Sequence, residues 1–201
     1  MSSRFGFWAA WAAAIAAIAY DIPQLLQVFG AIREPLDRIL IFAPSLALAP
    51  SFVLAVVAVH ASTSADRRVW SLGALAIALL YAADVSQVYI IQLGAVIPRD
   101  IAGDHSLASA ACCGPQLPMT SLDLLGYTYM SLSTLLLVPV FGNVASMRAL
   151  RLALALNGCL APVIFGQLLL PSLIYVAAAW LVTFPACMIL LAQSFFARSE
   201  K

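Results

Sequence analysis

Residues 39–60 read ILIFAPSLALAPSFVLAVVAVH and contain no aspartate, glutamate, lysine or arginine. An α-helix of roughly 20 residues crosses the hydrocarbon core of a membrane, about 30 Å thick, so this segment is long enough to span it. Charged residues stand outside the segment on both sides, with Arg38 before it and Arg67 and Arg68 after it. The segment therefore predicts a transmembrane helix.

The rest of the chain repeats this pattern. Of its 201 residues, 64% are apolar and 9% are charged, and the mean hydropathy is +1.00. Soluble domains contain about 45–50% apolar and about 25% charged residues, so too few charges remain here for a water-soluble surface. Apolar runs predict helices at residues 5–29, 39–60, 69–97, 119–141, 148–170 and 172–196. We expect an all-α, polytopic transmembrane bundle of six helices that forms one domain over residues 1–201 in the lipid bilayer.

The first predicted helix also resembles a secretory signal peptide. Arg4 precedes an alanine-rich core, and Ala17-Ile18-Ala19 is similar to a cleavage site. Because the apolar stretch continues to Phe29, we expect a retained helix.

The basic residues near the helix ends predict the orientation. Seven fall on the side of the termini and three on the opposite side: Arg4, Arg67, Arg68, Arg148, Arg151, Arg198 and Lys201 against Arg33, Arg38 and Arg99. The positive-inside rule then places both termini in the cytoplasm and the loops at residues 30–38 and 98–118 outside. The net charge of +1 and the scattered basic residues imply no nucleic-acid surface.

Three aspartates fall within predicted helices: Asp21, Asp84 and Asp123. A charge near the bilayer centre costs at least roughly 2.5–3.5 kcal/mol on insertion scales, so such residues usually face a cavity or a partner. Tyrosines and amides recur beside them at three- or four-residue spacing, which places side chains on one side of a helix. The predicted ligand or proton pocket consists of Asp21, Gln24, Tyr81, Asp84, Gln87, Asp123 and Tyr127. The alternative is that each aspartate hydrogen-bonds a neighbouring helix and only holds the bundle together.

The loop at residues 98–118 is the longest connection, and it contains the adjacent Cys112 and Cys113. It is interpreted as a tether between helices, or as a lid or partner contact. The two cysteines are candidates for a structural disulfide or a redox function, although redox relays usually contain Cys-x-x-Cys.

Cofactors and catalytic groups are not identified. His60 and His105 are predicted on opposite sides of the membrane, which argues against a shared haem iron. Retinal needs a lysine inside the membrane, whereas the single lysine is Lys201. We find no metal-binding, phosphate-binding or hydrolase motif, so an enzyme is not predicted.

Two short sequences occur twice at the same spacing. Val28-Phe29-Gly30 recurs at residues 140–142, and Leu48-Ala49-Pro50 recurs at residues 160–162. If each half of the chain contained three helices, the two halves would cross the membrane in opposite orientations. A weak 3+3 inverted repeat is therefore a hypothesis. Chance is the alternative, because short apolar matches arise easily in this composition.

Proline occurs inside five of the predicted helices, at Pro23, Pro44, Pro50, Pro139, Pro162 and Pro185. Each proline lacks a backbone donor and leaves a carbonyl to be satisfied elsewhere. We expect interruptions of the helices at these positions.

Several motifs carry a resemblance to a known group of proteins. They are APSLALAP at residues 43–50, YIIQL at 89–93, DLLGY at 123–127, PVFG at 139–142 and NGCLAP at 157–162. Over about residues 20–190 the chain resembles a group of bacterial six-helix membrane proteins of unknown function. The resemblance implies a bacterial inner-membrane protein and carries over no activity, cofactor or site residue.

Two functional hypotheses follow from these patterns. In the first, the bundle binds or transports a small molecule through an outward-facing polar pocket. In the second, it is a non-catalytic accessory subunit or assembly factor that contacts other membrane subunits or another copy of itself. The first helix has small-residue faces, formed by Ala9, Ala13 and Ala17 or by Ala10 and Ala14. These faces either dock such a partner or pack within the chain's own bundle, and we favour packing within the bundle.

Overall fold

The computed structural model describes residues 2–114 and 116–199. Lys201, used above for orientation, and Pro115 in the predicted loop lie outside the described residues. The helices are α1 (Ser2–Val28), α2 (Leu36–Ala61), α3 (Arg68–Ile91), α4 (Ile97–Ile101), α5 (Pro118–Leu137), α6 (Arg148–Cys159), α7 (Ala161–Gly166), α8 (Ile174–Ala177) and α9 (Trp180–Ser199). Shorter helical turns cover Ala65–Arg67, Gln92–Val96, Ala108–Ala110, Val138–Val140, Ala145–Met147 and Pro171–Leu173. No strand occurs among the described residues.

Six helical segments are long and apolar enough to cross a membrane. They are Ser3–Val28, Leu36–Ala61, Ala65–Ile101, Pro118–Val140, Ala145–Gly166 and Pro171–Ala197. The predicted all-α six-helix fold is confirmed, and this architecture is that of a multi-pass integral membrane protein. The third segment reaches Ile101, beyond the predicted end at Ile97, because the π-helical turn Gln92–Val96 joins α3 to α4 without a break.

The six segments form a closed ring in chain order. Helix α1 packs against α2 and α9, α2 against α3, α3 against α5, α5 against α6 and α7, and α6 against α9. Aromatic side chains fill the interior, where Phe52, Tyr81 and Phe184 are fully buried. Phe52 contacts both other rings edge-on, at 5.8 Å from Tyr81 and 5.4 Å from Phe184 between ring centroids.

The alanine faces of α1 are buried within the bundle. Ala10, Ala13, Ala14 and Ala17 have no exposed surface, and α1 lies between α2 and α9. The prediction that these faces pack inside the chain's own bundle is confirmed. They are therefore covered by α1's neighbours in the same chain.

The expected interruptions at proline are wrong at four positions. Pro23, Pro44, Pro50 and Pro185 lie inside continuous helices. A helix tolerates a lost backbone bond when neighbouring helices or small local adjustments satisfy the freed carbonyl. At the other two prolines the expected interruptions are found, because α6 and α7 are separated at Leu160, before Pro162, and α5 ends at Leu137, where the short helical turn Val138–Val140 contains Pro139. A further break lies at residues 178–179, where α8 and α9 meet.

Candidate functional site

The candidate site begins with Asp123, in the second turn of α5. Tyr89 of α3 donates a hydrogen bond to Oδ1 of Asp123 at 2.7 Å, and the hydroxyl oxygens of Tyr89 and Tyr127 are hydrogen-bonded at 2.9 Å. Asp123 and Tyr127 are four residues apart, so one face of α5 presents both to α3. The result is a carboxylate and two phenols in one hydrogen-bonded chain inside a membrane-spanning bundle.

Aromatic rings from three helices surround Tyr127. The ring of Tyr127 lies 4.9 Å from Trp180 of α9, 6.1 Å from Tyr81 of α3 and 6.4 Å from Tyr20 of α1, between centroids. Tyr20 and Trp180 also meet edge to face at 5.8 Å. We call the following six residues the Asp123 cluster: Tyr20, Tyr81, Tyr89, Asp123, Tyr127 and Trp180.

Two buried polar atoms of this cluster, and one of the residue that follows Tyr20 in the chain, have no hydrogen-bond partner among the described residues. They are Oη of Tyr81, Nε1 of Trp180 and Oδ1 of Asp21, which is adjacent to Tyr20. Their residues are 0%, 5% and 7% exposed, respectively. An unpaired buried polar group costs about 1–3 kcal/mol and most native groups avoid that cost, so each such atom marks a place where a water or a polar ligand group can bind.

The predicted pocket residues fall into two groups. Tyr81, Asp123 and Tyr127 belong to the Asp123 cluster, and Asp21 lies beside it. Asp84 packs instead at Gly126, where an added methyl group would lie 3.5 Å from Cβ of Asp84, and its Oδ2 is enclosed without a partner among the described residues.

The two predicted glutamines lie away from the Asp123 cluster. Gln87 is exposed and donates to the carbonyl of Ala83 in its own helix at 3.0 Å. Gln24 donates to Gln27 at 3.3 Å, and Gln27 donates to Oδ2 of Asp37 at 2.7 Å. Gln24 therefore belongs to a polar chain between α1 and the start of α2.

A charged cleft of about 230 Å³ lies at the end of the bundle opposite the termini. Arg38 pairs there with Asp100 at 2.8 Å and with Glu34 at 3.3 Å, and His105 lies 3.3 Å from Asp100. These pairs join the start of α2 to the end of α4. In the adjoining loop, the backbone N–H of Ser106 bonds Oδ1 of Asp104 at 2.9 Å and lowers the pKa of that carboxyl group.

The long loop is held over the Asp123 cluster. Gln92, fully buried in the π-helical turn, donates to the carbonyl of Ala110 at 2.9 Å and accepts from the N–H of Cys112 at 2.9 Å. Cys112 and Cys113 are joined in a disulfide, and Sγ of Cys113 lies 3.9 Å from Oδ2 of Asp123. Both candidate cysteines and the candidate carboxylate thus meet at one place.

A second buried polar cluster ties α5, α6 and α9 together. Asn157, fully buried, donates to Oγ1 of Thr134 at 3.0 Å and accepts from Oγ1 of Thr183 at 2.9 Å. Thr134 donates in turn to the carbonyl of Ser131 at 2.7 Å. Sequence reasoning assigned no role to Asn157, although its motif NGCLAP was singled out.

Sequence reasoning also missed Tyr89, for a geometric reason. Successive helical residues turn by about 100°, so steps of three from Tyr81 rotate away from its face by roughly 60° each, and steps of four by roughly 40°. Gln87 follows Tyr81 by two three-residue steps, and its side chain is exposed. Tyr89 follows Tyr81 by two four-residue steps, and its side chain is buried. A four-residue reading of α3 would have found Tyr89.

No protein-family model, curated protein or solved structure matches this chain. The resemblance to a bacterial group therefore stays a prediction, and so does the 3+3 repeat.

Proposed function

We propose that this membrane protein binds a small molecule bearing a positively charged amino group at the Asp123 cluster. The ligand reaches the cluster from the end of the bundle opposite the termini, beneath the loop that carries Cys112 and Cys113. The observation that carries the proposal is a membrane-embedded carboxylate, Asp123, bonded to two tyrosines and surrounded by aromatic rings.

The charge of Asp123 supports a cationic ligand. Within the described residues, Asp123 forms no ion pair with a basic side chain. A carboxylate inside a membrane bundle is expensive unless a partner neutralises it, and an ammonium group is such a partner.

The aromatic rings support the same class of ligand. Tyr20, Tyr81, Tyr127 and Trp180 meet at centroid distances of 4.9 to 6.4 Å. The faces of aromatic rings attract cations, most strongly in desolvated sites, and aromatic side chains also bury a large apolar surface against a hydrocarbon body. The unpartnered Oη of Tyr81 and Nε1 of Trp180 are available to orient a polar substituent.

We further propose a bacterial inner-membrane location with cytoplasmic termini, in which the ligand arrives from outside. The described arginines support this orientation, because Arg67, Arg68, Arg148 and Arg151 all lie at the end of the bundle that holds the termini. The motif resemblance supports the location.

The first test is native mass spectrometry of the chain purified from its host in lipid nanodiscs. We expect a small amine-bearing adduct on the wild-type chain and its loss from Asp123→Asn, because the amide removes the negative charge. Gln87→Ala is the matched control, since Gln87 is exposed and, among the described residues, bonds only its own helix.

Two outcomes would overturn the proposal. One is an adduct that persists unchanged in Asp123→Asn. The other is a stoichiometric protein partner with no small molecule, which would favour the accessory-subunit hypothesis.

A further inference from the structure

The same loop offers a different chemistry once its disulfide is reduced. We infer that Cys112, Cys113 and Asp123 then bind one cation of the zinc class. This inference goes beyond amine binding and does not depend on it. It concerns the three residues where the loop touches α5.

The donor atoms are already close together. One ligand atom from each of the three residues lies within 4.8 Å of the other two. Zinc binds cysteine sulfur at about 2.3 Å and carboxylate oxygen at about 2.0–2.2 Å, so ligands in a tetrahedral site are roughly 3.4–3.8 Å apart. Side-chain rotation that separates the two sulfurs after reduction is enough to reach this geometry.

The loop backbone holds the donors in place on both sides of the cysteines. Gln92 bonds the carbonyl of Ala110 and the N–H of Cys112, each at 2.9 Å. Thr120 of α5 donates to the carbonyl of Gly114 at 2.7 Å. None of these bonds involves sulfur, so the thiols formed by reduction stay beside Asp123.

The redox step and the binding step balance separately. A dithiol reductant gives two electrons and two protons to the Cys112–Cys113 bond, yielding two thiols, and is itself oxidised to a disulfide. Zinc then displaces both thiol protons and binds two thiolates and the Asp123 carboxylate. With three protein ligands, a fourth position stays open for a water or another ligand. In the disulfide form the sulfurs are not thiolates and bind no such cation.

The exposure of the two cysteines indicates that a cation reaches the site from the side of the loop. Cys113 is exposed, whereas Cys112 is only 5% exposed. The mixed sulfur and oxygen donors suit zinc, and suit magnesium or calcium poorly, because those ions prefer oxygen ligands alone.

The experiment uses the full chain in nanodiscs with Cys159→Ser and Cys187→Ala, which leave only the adjacent pair. A phosphine reduces the disulfide with one water, giving two thiols and the phosphine oxide, and Co²⁺ is the first probe. We expect one Co²⁺ per reduced chain with a sulfur-to-cobalt charge-transfer band, none in the oxidised chain, and displacement by Zn²⁺.

Substitutions then assign the ligands. We expect Cys113→Ser to weaken the charge-transfer band, because one of two cobalt–sulfur bonds is lost, and Asp123→Asn to weaken Zn²⁺ binding at least about tenfold, since even residues that only orient metal ligands contribute 10- to 100-fold. Asp84→Asn, a membrane aspartate outside the site, is the control and should leave the affinity unchanged.

Equal binding by the oxidised and reduced chains would overturn the inference, as would a Zn²⁺ affinity unaffected by Asp123→Asn. Two variants distinguish a failure of metal binding from a failure of amine binding. Cys113→Ser removes a metal ligand and leaves the tyrosine and tryptophan side chains intact, whereas Tyr81→Phe alters the Asp123 cluster without touching the metal donors.

Discussion

The bundle contains two buried polar clusters that differ in how completely they are hydrogen-bonded. Around Asn157, the side-chain oxygen accepts from Thr183 and the side-chain nitrogen donates to Thr134. Around Asp123, Tyr81 and Trp180 keep buried polar atoms without partners among the described residues. Both side-chain atoms of Asn157 are bonded, and one nearby atom, Oγ of Ser131, is buried without a partner among the described residues. The Asp123 cluster combines two such atoms with a carboxylate that has no basic partner among the described residues, which leaves more for a ligand to satisfy. The contrast supports the proposal that the Asp123 cluster binds a ligand, whereas Asn157 acts as a structural joint that holds three helices together.

Their positions agree with this division. Asn157 lies two residues before the end of α6, where the fifth segment breaks at Leu160, and it joins three helices there. Asp123 lies near the start of α5, beneath a loop that closes over it. The bonds of Asn157 hold three helices in place where the fifth segment is broken. Opening of the loop over Asp123 would let a ligand enter and leave the Asp123 cluster.

The largest expected effect is on the structural joint, from Gly158→Ala. An added Cβ would lie 2.5 Å from Cβ, 2.9 Å from Cα and 3.0 Å from N of Leu135, so α5 and α6 must separate. We expect a loss of about 3 kcal/mol in the free energy of unfolding, the upper end for overpacking, measured by reversible denaturation in detergent.

Gly94→Ala is the matched control, because no described atom outside its own turn of helix lies within 4 Å of its added Cβ. Its unfolding free energy should stay within about 0.5 kcal/mol of the wild type. Equal stability of the two alanine variants would contradict the close packing of α5 and α6.

Asn157→Ala and Asp123→Asn compare the two clusters directly. Removing Asn157 leaves the hydroxyl of Thr183 without its acceptor, so we expect a loss of about 1–2 kcal/mol, the range of interhelical hydrogen bonds in membrane peptides. Asp123→Asn keeps an acceptor for Tyr89 and should change stability less, while abolishing the amine adduct. A larger loss of unfolding free energy in Asp123→Asn than in Asn157→Ala would identify Asp123 as the residue that holds the helices together.

Gln92→Ala tests whether the loop covers the binding site. The change removes two hydrogen bonds, to Ala110 and Cys112, each contributing about 0.5–1.5 kcal/mol. We expect local opening of the loop, and a roughly tenfold faster reaction of Cys112, the buried member of the pair, with a water-soluble maleimide when it is the single cysteine left in the chain. Gln87→Ala serves as control, and an unchanged rate in Gln92→Ala would show that the loop is held by other contacts.

The sequence predicts the fold well because a helix that spans a membrane must be apolar along nearly its whole length, and such a run is visible in the sequence. Six apolar runs bounded by charges were enough to find six helices, even though Pro23 and Pro185 did not break theirs. Asp123 and Tyr127 were found together, since a four-residue spacing on one helix is local information. Their partner Tyr89 lies 34 residues from Asp123 along the chain, and pairing across helices depends on packing that no single helix encodes.

The smallest expected effect on stability comes from Tyr81→Phe. The hydroxyl removed is buried and has no partner among the described residues, so its loss should leave the unfolding free energy unchanged or raise it by up to about 1 kcal/mol. If that hydroxyl orients the ligand, the same variant should bind the amine about tenfold more weakly, since a lost ligand hydrogen bond of about 1.4 kcal/mol is tenfold in affinity. Chemical denaturation and ligand titration measure the two quantities separately. A destabilised Tyr81→Phe with wild-type affinity would place Tyr81 with Asn157 as a residue that holds the bundle, and would confine the binding site to Asp123, Tyr89 and Tyr127.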